Sequence, residues 1–247
     1  MFTSSLGKKY LMALTGLVLV GFVFVHMAGN LQVFAGQAQI NSYAHSLQTL
    51  PSFILWGSRL FLLASVLIHA WTAYSLIIEN RRARPNRNDV EVTKRAGWSS
   101  LRMGLTGTII LAFVVFHLLH FTIRTIYPEY AEMTTTVGAP GDDEIHDAYS
   151  MILAGFKHEA ISLFYVVAMF LLCRHLAHGF SSVFQSLGLR SESWHKKLGL
   201  ISVGYAWLIF GGFSIVPVSV VMQKHGFFEF YNPSEFTSEM TATIPSK

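Results

Sequence analysis

The stretch ISLFYVVAMFLLCRHLAHGFSS, residues 161 to 182, decides the fold class. Its first part is almost wholly apolar. At about 1.5 Å per residue, a helix of this length crosses the roughly 30 Å of hydrocarbon in a bilayer. Arg174, His175 and His178 lie close together near its far end. Because polar side chains are costly inside a bilayer, those within a span are candidates for function.

Four further apolar runs of similar length occur along the chain. The 247 residues are 52% hydrophobic and 13% charged, with a mean hydropathy of +0.43, which is outside the usual composition of soluble domains. We therefore expect an all-α integral membrane protein, a bundle of five transmembrane helices. Residues 1–225 are expected to form the membrane domain and residues 226–247 a polar outer tail. The predicted spans are about 10–34, 53–78, 101–123, 160–182 and 198–222.

The loops between these spans alternate in charge. Segments 79–97 and 186–197 carry basic residues, whereas segments 35–52 and 127–156 contain no Lys or Arg. The positive-inside rule then predicts a cytoplasmic N-terminus and an outer C-terminus. The net charge of +4 is thus a topology signal and does not indicate a nucleic-acid partner. We see no convincing internal repeat, and the lone Cys173 excludes a disulfide or an iron-sulfur cluster built from this chain alone.

Four of the spans carry a histidine late in the span. With alternating topology, His26 and His117 lie toward the outer face, and His69 and His175 lie toward the inner face. Each pair can clamp one flat macrocycle edge-on between the helices. Axial ligation of two haems by two histidines each is the simplest interpretation.

A different metal chemistry stays open. His120 follows His117 by three residues, and His178 follows His175 in the same way, so each pair shares a helix face and can chelate a metal. This pattern would suit a histidine-cluster metal-dependent membrane enzyme or a metal transporter. The spans contain no Asp or Glu between their ends. This disfavours metal clusters and proton relays that need carboxylates. Candidate partners for haem propionates are Lys8, Trp98, Arg102 and, on the outer side, Arg124.

Four short motifs occur in order along the spans. They are Phe24-Val-His26-Met-Ala-Gly-Asn30, Leu67-Ile-His69-Ala, Gly107 followed ten residues later by His117, and His175-Leu-Ala-His178-Gly179 leading to Ser186-Leu-Gly188. Over roughly residues 5 to 222, the chain resembles the cytochrome b558 membrane anchor subunit of succinate dehydrogenase and fumarate reductase, in its five-helix, di-haem form.

This resemblance implies His69 and His175 as axial ligands of the inner haem b, and His26 and His117 as those of the outer one. It leaves His120, Arg174 and His178 as candidate contacts to a haem ligand or to quinone.

The resemblance also implies an electron-transfer subunit with no dicarboxylate site of its own. Its partners would be a flavoprotein subunit carrying FAD and an iron-sulfur subunit on the cytoplasmic face. Its substrate would be membrane quinone, menaquinone in a two-haem enzyme, and its location the bacterial cytoplasmic membrane. A di-haem cytochrome b subunit of a hydrogenase or formate dehydrogenase also binds each haem through two histidines and is a further alternative.

Overall fold

The computed structural model describes residues 4–83, 97–136, 144–188 and 192–230, without the side chains of residues 97–102, 192, 193 and 195. The described part of the chain is mainly helical. In chain order its α-helices are α1 (Ser5–Asn30), α2 (Gln37–Gln48), α3 (Ser52–Arg82), α4 (Gly97–His117), α5 (Ala148–Lys157), α6 (Glu159–Ser186) and α7 (Glu192–Lys224).

Five helical segments are long and apolar enough to cross a membrane. Large apolar side chains are exposed along them, including Phe53 at 78% and Leu200 at 75%. Apolar surface of this extent is typical of helices that face lipid. The prediction of five membrane-length helices is confirmed, and the chain is a multi-pass membrane protein. The segments are Ser5–Ala35, Ser52–Arg82, Met103–Thr122, Glu159–Ser186 and Lys196–Lys224.

The chain divides into two compact units, and each of the five long helices contributes residues to both. The first unit comprises Met1–Val23, Trp56–Ala112 and Leu171–Leu208. The second unit comprises Phe24–Leu55, Phe113–Phe170 and Ile209–Lys247. Of the predicted outer tail, residues 231–247 lie outside the described residues.

Polar contacts between helices tie the first unit together. The ammonium of Lys8 pairs with the carboxylate of Glu79, which also accepts a hydrogen bond of 2.9 Å from Ser5 Oγ. The hydroxyl of Tyr205 donates to the carbonyl of Val20 at 2.6 Å. In apolar surroundings such groups are costly unless they are paired. These contacts therefore link α1 to α3 and α7.

The second unit includes folded connections between the long helices. Helix α2 lies within segment 35–52, one of the two loops without Lys or Arg. Strand β1 (Thr134–Thr136) pairs antiparallel with β2 (Glu144–His146), and Thr135 lies opposite Ile145. A 3-10 turn at Pro128–Ala131 precedes the strands.

Helix α5 corrects the prediction of a continuous acidic loop at 127–156. Its residues from Ala148 to Phe156 are all buried. The acidic side chains of this segment all precede the buried stretch. The prediction considered these acidic residues and overlooked the short apolar run that begins directly after Asp147. An apolar segment led by an Asp N-cap is a helix-start signal.

The buried carboxylate of Asp147 connects α2 with α5. It accepts hydrogen bonds from Gln37 Nε2 and Asn41 Nδ2, both at 2.7 Å, and from Ser150 Oγ at 2.6 Å and Ser150 N at 3.1 Å. Asn41 in turn accepts from the backbone N–H of Tyr149 at 2.9 Å. A buried carboxylate is stable only with several such donors. The network therefore fixes α5 against α2.

Candidate functional site

The structure brings four of the predicted site histidines together as two pairs, one in each unit. In the first unit, the ring centroids of His69 on α3 and His175 on α6 are 6.4 Å apart, with an interplanar angle of 68°. In the second unit, the centroids of His26 on α1 and His117 on α4 are 5.8 Å apart, at 76°. These are the pairings that the depth of the histidines in their spans predicts.

The spacing of both pairs fits one metal ion between two imidazoles. A metal-imidazole bond is about 2 Å long, so two rings bound on opposite sides of one iron have centres about 6 Å apart. The observed distances of 6.4 Å and 5.8 Å agree with this value. Each pair supplies only two nitrogens, so further ligands of such a metal would have to come from a bound group.

Hydrogen bonds orient both rings in the first unit, and for His69 they also fix the tautomer. His69 Nδ1 lies 3.2 Å from the carbonyl of Met12 and 3.4 Å from Thr15 Oγ1. A carbonyl can only accept, so this Nδ1 carries the ring proton. Thr106 Oγ1 lies 3.3 Å from His175 Nδ1, and its own proton is directed to the carbonyl of Met103 at 3.2 Å. Nε2 of His69 is therefore the nitrogen available to a metal, and Nε2 of His175 is available in the same way when Nδ1 donates to Thr106.

Two glycines allow these rings to lie against neighbouring helices. A Cβ added at Gly16 would come within 3.3 Å of His69 Cε1, and one added at Gly107 within 3.4 Å of His175 Cε1. The first distance is tighter than ordinary carbon contacts, and the second is at their lower limit. A side chain at Gly16 would shift the ring of His69 slightly, and one at Gly107 would touch the ring of His175.

The threonines and glycines belong to a repeat in the sequence. Residues 12–26 and 103–117 are identical at seven of fifteen positions: Met, Leu, Thr, Gly, Phe, Val and His in the same register. Each copy supplies a Thr-Gly pair to the first unit and, eleven residues after its threonine, a histidine to the second unit. The expectation of no internal repeat overlooked these segments. The duplicated Leu-Thr-Gly triplet was the signal that could have identified Thr15 and Thr106.

The surroundings of the second pair are more aromatic and less symmetrical. Tyr165 Oη lies 3.4 Å from His117 Nδ1, and the ring of Phe113 stacks on His117 at 6.0 Å. Beside His26, the Asn30 amide donates to the His26 carbonyl at 2.8 Å. Tyr165 was not identified from the sequence, because periodicity alone does not define which face of a buried helix meets which neighbour.

The two additional histidines differ in their environment. His120 is 0% exposed, and its Nδ1 lies 2.9 Å from Tyr165 Oη. His178 is exposed, as is Arg174. Among the residues that the structure describes, no group of three or more His, Cys, Asp or Glu side chains is placed to hold a metal ion.

The predicted propionate partners are only partly described. Lys8 is engaged with Glu79 and lies 5.9 Å from the ring centroid of Trp71. The side chains of Trp98 and Arg102 lie outside the described residues.

On the side of the second unit, Arg124 adopts a left-handed backbone conformation with φ of 61°. This conformation is strained for a residue with a side chain. It follows a π-helical turn, Leu118–Thr122, which contains His120.

Burial and charge also affect titratable groups outside the membrane-length helices. Burial, and then the nearby charge of Arg124, lowers the pKa of His146, although the hydrogen bond from its Nδ1 to the Met133 carbonyl opposes this shift. Burial raises the pKa of Tyr130, which adjoins Tyr127 and Glu129. Both side chains are therefore neutral at pH 7.

Comparisons with family models, with curated proteins and with solved structures found no match to this chain. The functional argument therefore rests on the paired histidines, the contacts that orient them and the sequence motifs that contain them.

Proposed function

We propose that this chain is the di-haem cytochrome b membrane anchor of a succinate:quinone oxidoreductase, a succinate dehydrogenase or fumarate reductase. It passes electrons between an iron-sulfur subunit and membrane quinone. The observation that carries the proposal is the presence of two histidine pairs with centroid distances of 6.4 Å and 5.8 Å, each pair drawn from two membrane-length helices.

In this proposal His69 and His175 hold the inner haem b, and His26 and His117 hold the outer one. Haem iron, when bound, takes up and releases one electron at a potential set by its axial ligands and surroundings. Contacts with the protein orient the imidazoles. In the first unit these contacts come from Met12, Thr15 and Thr106, which engage the Nδ1 atoms.

The proposed setting is the bacterial cytoplasmic membrane, with the N-terminus in the cytoplasm and the C-terminus outside. The positive-inside pattern of the loops supports this orientation. The ordered motifs around the four histidines support a flavoprotein subunit with FAD and an iron-sulfur subunit as partners on the cytoplasmic face. They also support menaquinone as the quinone. The dicarboxylate site belongs to the flavoprotein.

A reduced-minus-oxidised visible spectrum of the purified chain tests the proposal, together with a haem assay. We expect a b-type spectrum and two haems per chain. His117→Ala should lose one haem, whereas His120→Ala should retain both, because His120 makes its contact through Tyr165. A wild-type chain without a b-type band would exclude the proposal.

Metal analysis of the same variants separates the alternative functions. A histidine-cluster enzyme or metal transporter would bind a non-haem metal, and both His117→Ala and His120→Ala would reduce its content. A cytochrome b subunit of a hydrogenase or formate dehydrogenase would keep two haems. Its complex would reduce quinone with hydrogen or formate, and succinate would give no reduction.

A further inference from the structure

A buried hydrogen-bonded series in the second unit extends beyond the four proposed haem ligands. Tyr165 Oη lies 3.4 Å from His117 Nδ1 and 2.9 Å from His120 Nδ1. Tyr165 is 6% exposed and His120 is 0% exposed. One hydroxyl group thus joins two imidazoles in surroundings from which bulk water is excluded.

The single proton of this hydroxyl gives the series a direction. If Nε2 of His117 faces the iron, its Nδ1 carries the ring proton and donates to the Tyr165 oxygen. Tyr165 then donates its own proton to Nδ1 of His120. A neutral imidazole has one N–H, so that of His120 lies at Nε2.

The far end of the series is enclosed by aromatic rings. Nε2 of His120 is buried and has no hydrogen-bond partner in the described part of the chain. The ring centroids of Phe121 and Phe116 are 4.0 Å and 5.5 Å from that of His120, and those of Tyr127 and Tyr130 are 5.6 Å and 5.9 Å away. A buried polar atom without a partner is costly, and π-helical turns such as Leu118–Thr122 are frequent at functional sites.

We propose that Tyr165 and His120 are positioning residues that fix the tautomer and basicity of His117, and thereby set the reduction potential of the outer haem. The inference rests on the proposed function, because it requires His117 to be an axial ligand. A hydrogen bond accepted from Nδ1–H makes an axial imidazole a stronger electron donor and stabilises ferric iron.

In the described part of the first unit, the two threonines beside the histidines direct their protons to backbone carbonyls. Thr15 directs its hydroxyl proton to the carbonyl of Leu11 at 2.7 Å, and Thr106 directs its proton to that of Met103 at 3.2 Å. Each contact therefore returns to the backbone of the helix that carries the threonine. The potential of the inner haem should not depend on Tyr165 or His120.

The test is a redox titration of the purified, haem-loaded chain, combined with EPR of its ferric haems. Tyr165→Phe should retain two haems, raise the midpoint potential of one and leave the other unchanged. His120→Ala should give a smaller shift of the same sign, and the double variant should match Tyr165→Phe, because His120 acts only through Tyr165. His120→Asn, whose amide oxygen can accept the Tyr165 proton, should restore the wild-type value.

Tyr205→Phe is the matched control, since it removes a hydroxyl that donates to the Val20 carbonyl in the first unit. Unchanged potentials and EPR spectra in Tyr165→Phe and His120→Ala would overturn the inference while leaving the di-haem function intact. A wild-type chain without haem b would instead remove the proposed function itself. If Tyr165→Phe does not fold, the midpoint potentials of His120→Ala and His120→Asn are compared instead. Equal potentials in these two variants overturn the inference.

Discussion

The two histidine pairs have similar ring spacing, yet they are held in different ways. In the first unit, two copies of one Thr-Gly motif orient His69 and His175, and the second unit uses no such copy around its own pair. There, Asn30 lies beside His26, and Tyr165 lies between His117 and His120. One duplicated helix segment thus supplies residues to both pairs, while other residues make the chemical environments of the two pairs unequal.

The units also differ in the segments that surround their histidines. The second unit contains α2, the β1-β2 hairpin and α5, and these are joined through Asp147. In the first unit, the described elements are parts of the long helices. Short elements joined by a buried carboxylate therefore help to stabilise the second unit, whereas the polar contacts described in the first unit join the long helices directly.

The largest expected effect comes from removing a proposed haem ligand of the first unit. Under the proposed function, His175→Ala should reduce the haem content from two per chain to one, because it removes one axial imidazole of the inner haem. His178→Ala is the control, since its side chain is exposed and should leave both haems in place. A pyridine haemochrome assay measures the content. Equal losses of haem in the two variants would contradict the prediction that the paired histidine binds haem and the exposed one does not.

Removing the carboxylate of Asp147 should destabilise the second unit strongly. Asp147→Ala leaves the donors of Gln37, Asn41 and Ser150 without their acceptor. Buried donors without partners cost about 1–3 kcal/mol each, and partial relaxation suggests a total on the order of 3 kcal/mol. Thermal unfolding in detergent measures the loss. Glu132→Ala changes an exposed carboxylate and should have little effect. Equal melting temperatures for the two variants would argue against this account.

Part of this comparison could be predicted from the sequence. Five apolar runs predicted the spans, because length and hydropathy are properties of the chain itself. The depth of His26, His69, His117 and His175 predicted which rings meet. Tyr165 could not be predicted, because it depends on how one buried helix is rotated toward another. Helix α5 was missed because its apolar stretch follows a dense group of acidic residues.

An intermediate effect is expected from filling the space at the glycines of the first unit. Gly16→Ala and Gly107→Ala place a Cβ at 3.3 Å and 3.4 Å from the rings of His69 and His175. We expect the added Cβ to displace the facing imidazole by a few tenths of an ångström, so that neither variant shows the gain in stability that alanine otherwise gives a helix. The EPR signal of the proposed inner haem should shift.

Gly21→Ala provides the control for both variants, because nothing lies within 4 Å of its added Cβ. There the helix should gain up to about 1 kcal/mol from the better helix propensity of alanine. If Gly16→Ala and Gly107→Ala give the same gain with unchanged spectra, the close fit of ring to helix is refuted.

The smallest expected effect is a pH dependence specific to the second unit. His146 has a lowered pKa in the folded protein, caused first by burial and then by Arg124. Below about pH 6.5, the unfolded chain therefore binds a proton that the folded protein does not, and the free energy of unfolding decreases as the pH falls toward the folded pKa. Above about pH 6.5 the His146 side chain is neutral in both states, and its contribution to the free energy of unfolding is then fully present. His146→Gln removes the titration, so its melting temperature should fall less steeply between about pH 7 and about pH 5 than that of the wild type. Parallel pH profiles would show that His146 titrates alike in both states, and a steeper profile in the variant would reverse the assigned sign.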